Sequence, residues 1–224
     1  GSVVYSRIGK HQNVLQFFES REAEDGKMFL MLELCEQNLA ERLKAKGKFT
    51  ESEAVKVLKQ VVAGCLHLLS RGVVHRDIKP ENILFQGAVA KLADFGMSDI
   101  DGWSSIIGGE LDYTVRLKSI TNISITSKSD VWSLGLLLYE MIHGTTPWGR
   151  QGPWAGNRST FRERLKAPFE IRRDLSSRTK DFILRCLRFK EGERMGWQEV
   201  VSHPLLIDCE ACTALNSQPR LDGV

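Results

Sequence analysis

The sequence lacks any long, uninterrupted hydrophobic run. Its longest apolar stretch, Val131–Ile142, contains Glu140, whereas a helix that spans a bilayer needs about 20 mostly apolar residues. We therefore interpret this stretch as a buried helix and expect no membrane span. The chain begins with neither Met nor a signal peptide, so we expect a truncated N-terminus and a cytoplasmic protein, with the nucleus as the alternative.

Cysteine is also scarce. The 5 cysteines are scattered along 224 residues, which is typical of reduced thiols and not of a disulfide framework. Cys209 and Cys212 form a single CxxC, the spacing of half a zinc site or of a redox pair. Because no second pair or neighbouring histidine completes such a site, the sequence favours two ordinary thiols in a C-terminal extension.

Neither sign of charge is in large excess. The chain carries 31 basic and 28 acidic residues, a net charge of +3, and no basic stripe of the kind found in nucleic-acid-binding domains. We therefore expect no nucleic-acid partner. The length and the balance of apolar to charged residues are those of one globular domain.

The periodicity of apolar residues predicts a few strands followed mainly by helices. Strands are expected at 13–20 and 27–34, joined as a hairpin by the charged turn Arg21–Lys27. The clearest helix is predicted over 51–70, where apolar residues recur at helical spacing and Thr50 with Glu53 forms a capping box.

The second half of the sequence is mostly helical in pattern. Residues 129–143 are apolar nearly all round, as in a central buried helix. Shorter helices are predicted over 158–166, 177–188 and 196–202, whereas 94–126 is polar and aperiodic and is predicted to be a long functional loop. This order of elements indicates an α+β fold dominated by helix.

Several motifs occur in a fixed order. His75–Asn82 reads HRDIKPEN, Asp94–Gly96 reads DFG and begins twelve residues after Asn82, and Ser129–Gly135 reads SDVWSLG. Pro147-Trp148, Arg194 and His203-Pro204 follow. Over roughly residues 3–205 this ordered set resembles the eukaryotic protein kinase family, Ser/Thr type.

The resemblance implies a protein kinase-like fold: mostly the helical C-lobe with a remnant of the N-lobe sheet. Residues 1–34 would be a partial N-lobe, with the end of its helix, two strands and the hinge. Residues 35–205 would be the C-lobe and residues 206–224 a C-terminal extension.

The resemblance also implies phosphoryl transfer from ATP to a protein hydroxyl. Asp77 matches the carboxylate that accepts the proton of the substrate hydroxyl, and Lys79 matches the cation that steadies the transferring phosphate. Asn82 and Asp94 match the oxygen ligands of Mg²⁺. The Asp-x-Lys-x-x-Asn pattern is the Ser/Thr variant, so the expected partner is a protein substrate with Ser or Thr acceptors, and a regulatory partner is left open.

The same resemblance implies roles for further residues. Leu32 matches the gatekeeper, the backbone of Glu33 and Cys35 would bind adenine, and Leu84 would form the floor of the adenine pocket. The family also implies that His75 and Phe95 stack, that Asp130 anchors the catalytic-loop backbone, and that Glu81 and Glu140 select basic residues in a substrate.

The sequence departs from the family pattern in three places. No glycine-rich loop or strand lysine precedes the hinge, so we expect little or no activity from this chain alone. Val115–Leu117 replaces Ala-Pro-Glu, which leaves Arg194 without its usual glutamate, and we expect this arginine to turn to solvent or to another carboxylate. Glu110 replaces a threonine that normally contacts Lys79 and Asp77.

Because of these departures, a second interpretation of the function is left open. Intact Asp77, Lys79, Asn82 and Asp94 favour an enzyme, whereas the missing parts favour a pseudokinase, a kinase-like module that regulates or scaffolds without turnover. The arginine of the HRD motif also suggests control by a phosphate in the following loop, where Ser98, Ser104 and Ser105 are the candidate acceptors.

Overall fold

The computed structural model describes residues 2–100, 127–149, 163, 165–207 and 209. The helices of these ranges are α1 (Ser2–Ile8), α2 (Leu39–Lys46), α3 (Glu51–Ser70), α4 (Lys128–His143), α5 (Ser177–Cys186) and α6 (Trp197–Val201). The strands are β1 (Phe17–Glu22), β2 (Met28–Leu32), β3 (Gln37–Asn38), β4 (Val73–Val74), β5 (Ile83–Gln86), β6 (Val89–Leu92) and β7 (Asp99–Ile100). Short 3₁₀ turns cover Pro80–Asn82 and Glu191–Glu193.

Helix α3 forms where its sequence predicts it. Thr50 is the N-cap: its Oγ1 accepts the Glu53 N–H at 3.3 Å, while the Glu53 carboxylate accepts the Thr50 N–H at 2.9 Å. This reciprocal capping satisfies two of the unpaired donors at the start of the helix. Ten residues of the helix are buried, so its stability comes chiefly from the packed face.

Helix α4 is the centre of the helical part and packs against α3 and α5. Thirteen of its residues are buried, as expected for a helix that is apolar nearly all round. A Cβ at Gly135 would lie 2.5 Å from the Cβ of Cys186, so only glycine permits this approach of α5. The helix ends at Gly144, whose φ of 76° is left-handed and favours glycine.

The hairpin predicted near the N-terminus is present, but its first strand begins at Phe17 rather than at 13. The residues before it serve another pairing: Leu15 N–H donates to the Leu92 carbonyl at 2.8 Å, and Val14 bridges Leu92 in parallel. Strands β1 and β2 then pair antiparallel as a two-stranded sheet. Phe18 and Phe29 of this sheet are 59% and 60% exposed.

A second small sheet, in the order β3-β5-β6, lies against α2 and α3. Its β5–β6 hairpin connects the segment around Asn82 with the segment around Asp94, because Ile83 pairs with Leu92. The sheet therefore brings together two motifs that are twelve residues apart in the sequence.

Several other predictions concern short elements and the thiols. Helices α5 and α6 confirm the helices predicted over 177–188 and 196–202, whereas most of the helix predicted over 158–166 lies outside the described residues. The four cysteines within the described residues are free thiols; Cys212 lies outside them. Across the same ranges, no helix combines the length and the apolarity needed to cross a membrane.

Candidate active site

The candidate active site is built on the loop that follows β4, and this loop is held by a buried carboxylate. Asp130, in the first turn of α4, accepts the N–H of His75 at 2.9 Å and the N–H of Arg76 at 2.8 Å. Burial raises the pKa of Asp130, and the nearby His75 and the two backbone N–H groups oppose that rise. Arg76 has a left-handed φ of 68°, an unfavourable conformation for this residue that the two hydrogen bonds help to hold.

Three predicted catalytic and metal-binding side chains converge in this loop. Asp77 is 5% exposed, and its Oδ2 accepts from Lys79 Nζ at 2.9 Å and from Asn82 Nδ2 at 2.7 Å. The Asn82 amide also donates to the Asp77 backbone carbonyl at 2.8 Å. Among the described residues, the buried Oδ1 of Asp77 has no hydrogen-bond partner. One oxygen of the carboxylate is thus fixed, while the other is left to accept a proton or a hydrogen bond.

Asp94 is placed beside this group by the β5–β6 hairpin. The N–H of Ala93, the preceding residue, donates to the Asn82 carbonyl at 2.9 Å. Asp94 itself is exposed and has a left-handed φ of 62°, and its Oδ1 accepts the Gly96 N–H at 3.1 Å. An exposed carboxylate next to an amide provides the oxygen donors that Mg²⁺ prefers, so the residues present fit that ion.

Aromatic rings pack behind the loop in a continuous column. Phe95 lies 5.2 Å from His75 and 5.3 Å from Tyr5, and Tyr5 stacks on Phe17 at 5.2 Å, all between ring centroids. The predicted contact of His75 with Phe95 is therefore present. The column joins α1, β1 and the DFG segment, so it fixes Asp94 relative to the N-terminal helix.

The residues predicted to bind adenine lie along the end of β2 and on β5. Leu32 ends β2, and the next residue, Glu33, donates its backbone N–H to the Gln16 carbonyl at 2.8 Å. Leu84 of β5 is half-buried and pairs with Asn38, which brings it next to the segment that follows Cys35.

Two acidic side chains lie at another edge of the site. Burial raises the pKa of Glu140 to about 7, and the negative charge of Glu81 adds to the rise. Glu81 is exposed, in the 3₁₀ turn that also contains Asn82. Two carboxylates that repel each other near the catalytic loop form a site suited to a cation.

Comparison with known proteins agrees with this geometry. The family described as "Protein kinase domain" matches residues 3–206. The chain belongs to the protein kinase domain family. The calcium and calcium/calmodulin-dependent serine/threonine-protein kinase of Lotus japonicus is 31% identical over 209 residues, which are 90% of this chain and 40% of that protein.

Two other relatives are also named as kinases. The calcium/calmodulin-dependent serine/threonine-protein kinase 1 of Oryza sativa subsp. japonica is 33% identical over 90% of this chain and 34% of its own length. The CDPK-related kinase 8 of Arabidopsis thaliana is 32% identical over the same shares. The chain thus spans well under half the length of each of these three relatives.

One expectation for this kinase domain is wrong. Arg194 does not turn to solvent: it is 9% exposed. Among the described residues its hydrogen bonds go to the backbone carbonyls of Arg188 at 3.2 Å and Lys128 at 2.9 Å, not to a carboxylate. Its Cζ also lies 5.0 Å from the centroid of the Trp132 ring. Burial lowers the pKa of Arg194, and the negative charge of Glu191 opposes this fall. Backbone dipoles and an aromatic face also offset the cost of burying this cation.

The kinase domain also uses residues that sequence reasoning missed. Tyr5 completes the ring column, but a lone tyrosine near a chain end gives no signal. Lys91 is 7% exposed and binds Glu33 at 3.0 Å, which fixes the segment after β2 from behind. A lysine in an otherwise apolar strand indicates a buried cation that needs a partner, so the sequence could have predicted this role. Glu110, Val115–Leu117 and the serines 104 and 105 lie outside the described residues.

Proposed function

We propose that this chain is the catalytic part of a Ser/Thr protein kinase that transfers the γ-phosphate of ATP to Ser or Thr hydroxyls of a protein. The observation that carries the proposal is the asymmetry of Asp77. Lys79 and Asn82 bind its Oδ2, whereas its buried Oδ1 has no partner among the described residues. A polar oxygen buried without a partner is costly, and a substrate hydroxyl supplies the missing donor.

In this reaction Asp77 orients the hydroxyl and accepts its proton. The hydroxyl oxygen forms a bond to the γ-phosphorus, the bond from that phosphorus to the bridging oxygen breaks, and ADP leaves with the bonding electrons. The Lys79 side chain is 23% exposed, more than that of Asp77, and its ammonium would stabilise the negative charge of the transferring group. Its contact with Asp77 keeps both groups in place before substrate binds.

Asn82 and Asp94 are the residues that would hold Mg²⁺, which supplies positive charge against the phosphates when bound. Their own contribution is positional. The amide of Asn82 is oriented by its two hydrogen bonds to Asp77, and Asp94 is held in its left-handed conformation by the Gly96 N–H and by the packing of Phe95.

The adenine of ATP would lie between the segment after β2 and strand β5. Support for this comes from the half-buried Leu32, Cys35 and Leu84, which offer apolar surface. The backbone of Glu33 and Cys35 would bind the base edge, and the ion pair of Glu33 with Lys91 stiffens that segment.

The two carboxylates Glu81 and Glu140 support a basic substrate. A guanidinium or ammonium placed between them would relieve their repulsion and the burial of Glu140. The relatives' names support control by calcium or calmodulin, and a regulatory partner, like the cytoplasmic location, stays a prediction.

Nucleotide binding and turnover test the proposal separately. Thermal unfolding of the chain with ATP, with and without Mg²⁺, should show a metal-dependent rise in Tm, because a ligand of the folded state stabilises it. Transfer of labelled γ-phosphate to an Arg-containing Ser peptide should follow, most strongly when the chain carries any residues that its gene encodes before Gly1. Binding without transfer in both forms would favour the pseudokinase alternative. The absence of both binding and transfer would contradict the proposal as a whole.

A further inference from the structure

Ser98 lies two residues beyond the DFG segment, and its side chain reaches back to the catalytic loop. Its hydroxyl donates to the backbone carbonyl of His75 at 3.2 Å, and its N–H donates to the Phe95 carbonyl at 3.2 Å. The residue is half-buried. Its backbone therefore closes a local turn, while its side chain joins two segments that are 23 positions apart in the sequence.

The pairing of β4 with β7 places Ser98 opposite His75. The two strands are antiparallel and Val74 pairs with Asp99, so His75 and Ser98 are the next two residues to face each other. The N–H of Ser98 is bonded to Phe95 and does not continue the ladder. The Ser98 hydroxyl supplies a donor in its place, and the two chain segments stay joined up to the edge of the candidate active site.

His75 holds both ends of the segment that contains Asp94. Its Nδ1 accepts a backbone N–H of the catalytic loop at 3.2 Å, so the proton of the neutral ring is on Nε2. Nε2 donates to the Ala93 carbonyl at 3.1 Å, and the carbonyl of His75 accepts from Ser98. Residues 93–98 are therefore attached to one histidine at their first and at their last residue.

His75 is a fixed point for this attachment. It is 0% exposed, its N–H donates to Asp130 Oδ2 at 2.9 Å, and its ring lies 5.2 Å from that of Phe95. Within the described part of the chain, the Ser98 hydroxyl is the hydrogen-bond donor to its carbonyl. Loss of this hydroxyl would leave a buried acceptor without a partner, which is unfavourable.

The conformation of Asp94 depends on the segment around it. Its φ of 62° lies in the left-handed region, which is uncommon for residues other than glycine, and its Oδ1 accepts the Gly96 N–H at 3.1 Å. Both residues lie between the two attached ends, so the attachment restricts the conformations of the whole turn. A carboxylate that is already held in place loses less freedom when it binds a metal ion.

We propose that Ser98 is a positioning residue whose hydroxyl holds residues 93–98 against His75 and so keeps the Asp94 carboxylate in place for a divalent cation. This inference rests on the proposed function, because it takes Asp94 as a metal ligand. Ser98 would act through the backbone of the segment and not by contact with the metal.

The same contact distinguishes Ser98 from an activating phosphate acceptor. A phosphoryl group on its Oγ would remove the hydroxyl proton that is donated to His75 and would bring negative charge to a carbonyl oxygen. Phosphorylation at this position would therefore release the segment. Ser98→Asp should weaken metal binding, whereas the same change at an activating site should strengthen it.

Metal-dependent nucleotide binding by the chain tests the proposal. Titration with Mg²⁺ at a fixed, low concentration of a fluorescent ATP analogue gives the apparent affinity for the metal. Ser98→Ala should lower this affinity by about tenfold, the lower end of the loss that follows removal of a group which supports a metal ligand. Ser98→Thr keeps the hydroxyl and should bind the metal nearly as well as the unaltered chain.

Ser70→Ala is the matched control. The Ser70 hydroxyl also donates to the backbone carbonyl of a histidine, His67, at 2.7 Å, but it does so at the exposed end of α3. This variant should leave the affinity for Mg²⁺ unchanged. In an active form of the domain, Ser98→Ala should raise the Mg²⁺ concentration that gives half the maximal rate but largely retain kcat at saturating Mg²⁺. A general loss of stability would not produce that split.

Hydrogen exchange supplies a measurement that needs neither metal nor nucleotide. In the metal-free chain, Ser98→Ala should speed the exchange of the amides of residues 93–98, because their local opening becomes easier. The amides of α3 should exchange as in the unaltered chain. Ser98→Thr should show the protection of the unaltered chain in both regions.

Three results would overturn the proposal. These are an equal affinity for Mg²⁺ and equal exchange in Ser98→Ala and the unaltered chain, tighter metal binding by Ser98→Asp, and a defect in Ser98→Ala that Ser98→Thr does not restore. If the unaltered chain showed no metal-dependent nucleotide binding, the proposed function itself would fail. The exchange of residues 93–98 would then still decide whether the Ser98 hydroxyl holds this segment.

Discussion

Asp130 and Arg76 are joined through the backbone: Oδ1 of Asp130 accepts the Arg76 N–H at 2.8 Å, at a residue whose φ is 68°. The other oxygen of the carboxylate accepts the neighbouring N–H of His75. A single buried side chain on α4 thus sets the path of the backbone that presents Asp77. The catalytic loop owes its shape to a residue 53 positions away from Asp77 in the sequence.

We expect Asp130→Asn to lower the free energy of unfolding by about 1–3 kcal/mol, because an amide has only one acceptor oxygen and its NH₂ would face the second N–H. Urea unfolding measures the loss. Asp174→Asn, at an exposed ion pair with Arg172, is the control and should cost no more than about 1 kcal/mol. Equal effects of the two changes would contradict the anchoring role of Asp130.

Asp77→Asn should reduce kcat by about 10²–10⁴-fold, the usual contribution of a general base, while the melting temperature changes little. Initial rates of phosphate transfer measure the effect in an active form of the domain. Asp25→Asn, in the exposed β1–β2 turn, should leave the rate unchanged. Persistent activity of the Asp77 variant would remove that residue from its proposed role.

Binding of a basic peptide should strengthen as the pH rises from 6 to 8. The pKa of Glu140 is about 7, so the carboxyl gains its negative charge across this range and then attracts a guanidinium. The KM for an Arg-containing peptide should therefore fall with rising pH, and Glu140→Gln should flatten the profile. A peptide without basic residues is the control, and the same profile for both peptides would exclude Glu140 as the cause.

Arg194→Lys should destabilise the domain by about 1–3 kcal/mol, because lysine keeps the charge but loses the planar fork that reaches two carbonyls and faces Trp132. Arg188→Lys is a matched control, since the Arg188 side chain is exposed and only its carbonyl takes part. Urea midpoints that shift equally for both variants would show that the geometry around Arg194 contributes nothing.

Stability should fall as the pH drops below about 6.5, the pKa of an unperturbed histidine, and His143 should account for part of the loss. Its Nδ1–H donates to the Tyr139 carbonyl at 2.9 Å and its Nε2 accepts the Arg172 N–H at 3.2 Å. The ring is therefore neutral, and burial lowers its pKa.

The sign of this effect follows from linkage. The folded state prefers the neutral ring, so the contribution is complete above the unfolded pKa and is lost as the pH falls toward the lower folded pKa. His143→Gln should make the free energy of unfolding less dependent on pH between 7 and 5. If the variant and the unaltered chain lose stability in parallel, His143 is not among the titrating groups.

Elements governed by local sequence could be predicted, and those governed by distant contacts could not. The period of α3 and the pair Thr50 and Glu53 predict that helix almost to the residue. The start of β1 could not be predicted, because Val14 and Leu15 look like strand residues but pair with Leu92, far along the chain. Helix α2 was missed because it is only eight residues long and follows its N-cap, Asn38, directly after β3.

In the candidate site, too, features set by local sequence could be predicted and features set by distant contacts could not. The HRD and DFG motifs place Asp77, Asn82 and Asp94 in one region, and the β5–β6 hairpin brings these residues together. The environment of Arg194 could not be read from the sequence, because its acceptors are backbone carbonyls and any residue supplies a carbonyl. The ring of Trp132, which completes that environment, comes from α4, more than 60 positions earlier in the chain.

Strand β5 carries two different surfaces on its four residues: Phe85 is buried under the guanidinium of Arg42, whereas Leu84 is half-buried on the opposite face. Any coupling between ligands bound on the two faces of this strand would be reciprocal. Whatever factor the first ligand imposes on the affinity for the second, the second imposes on the affinity for the first.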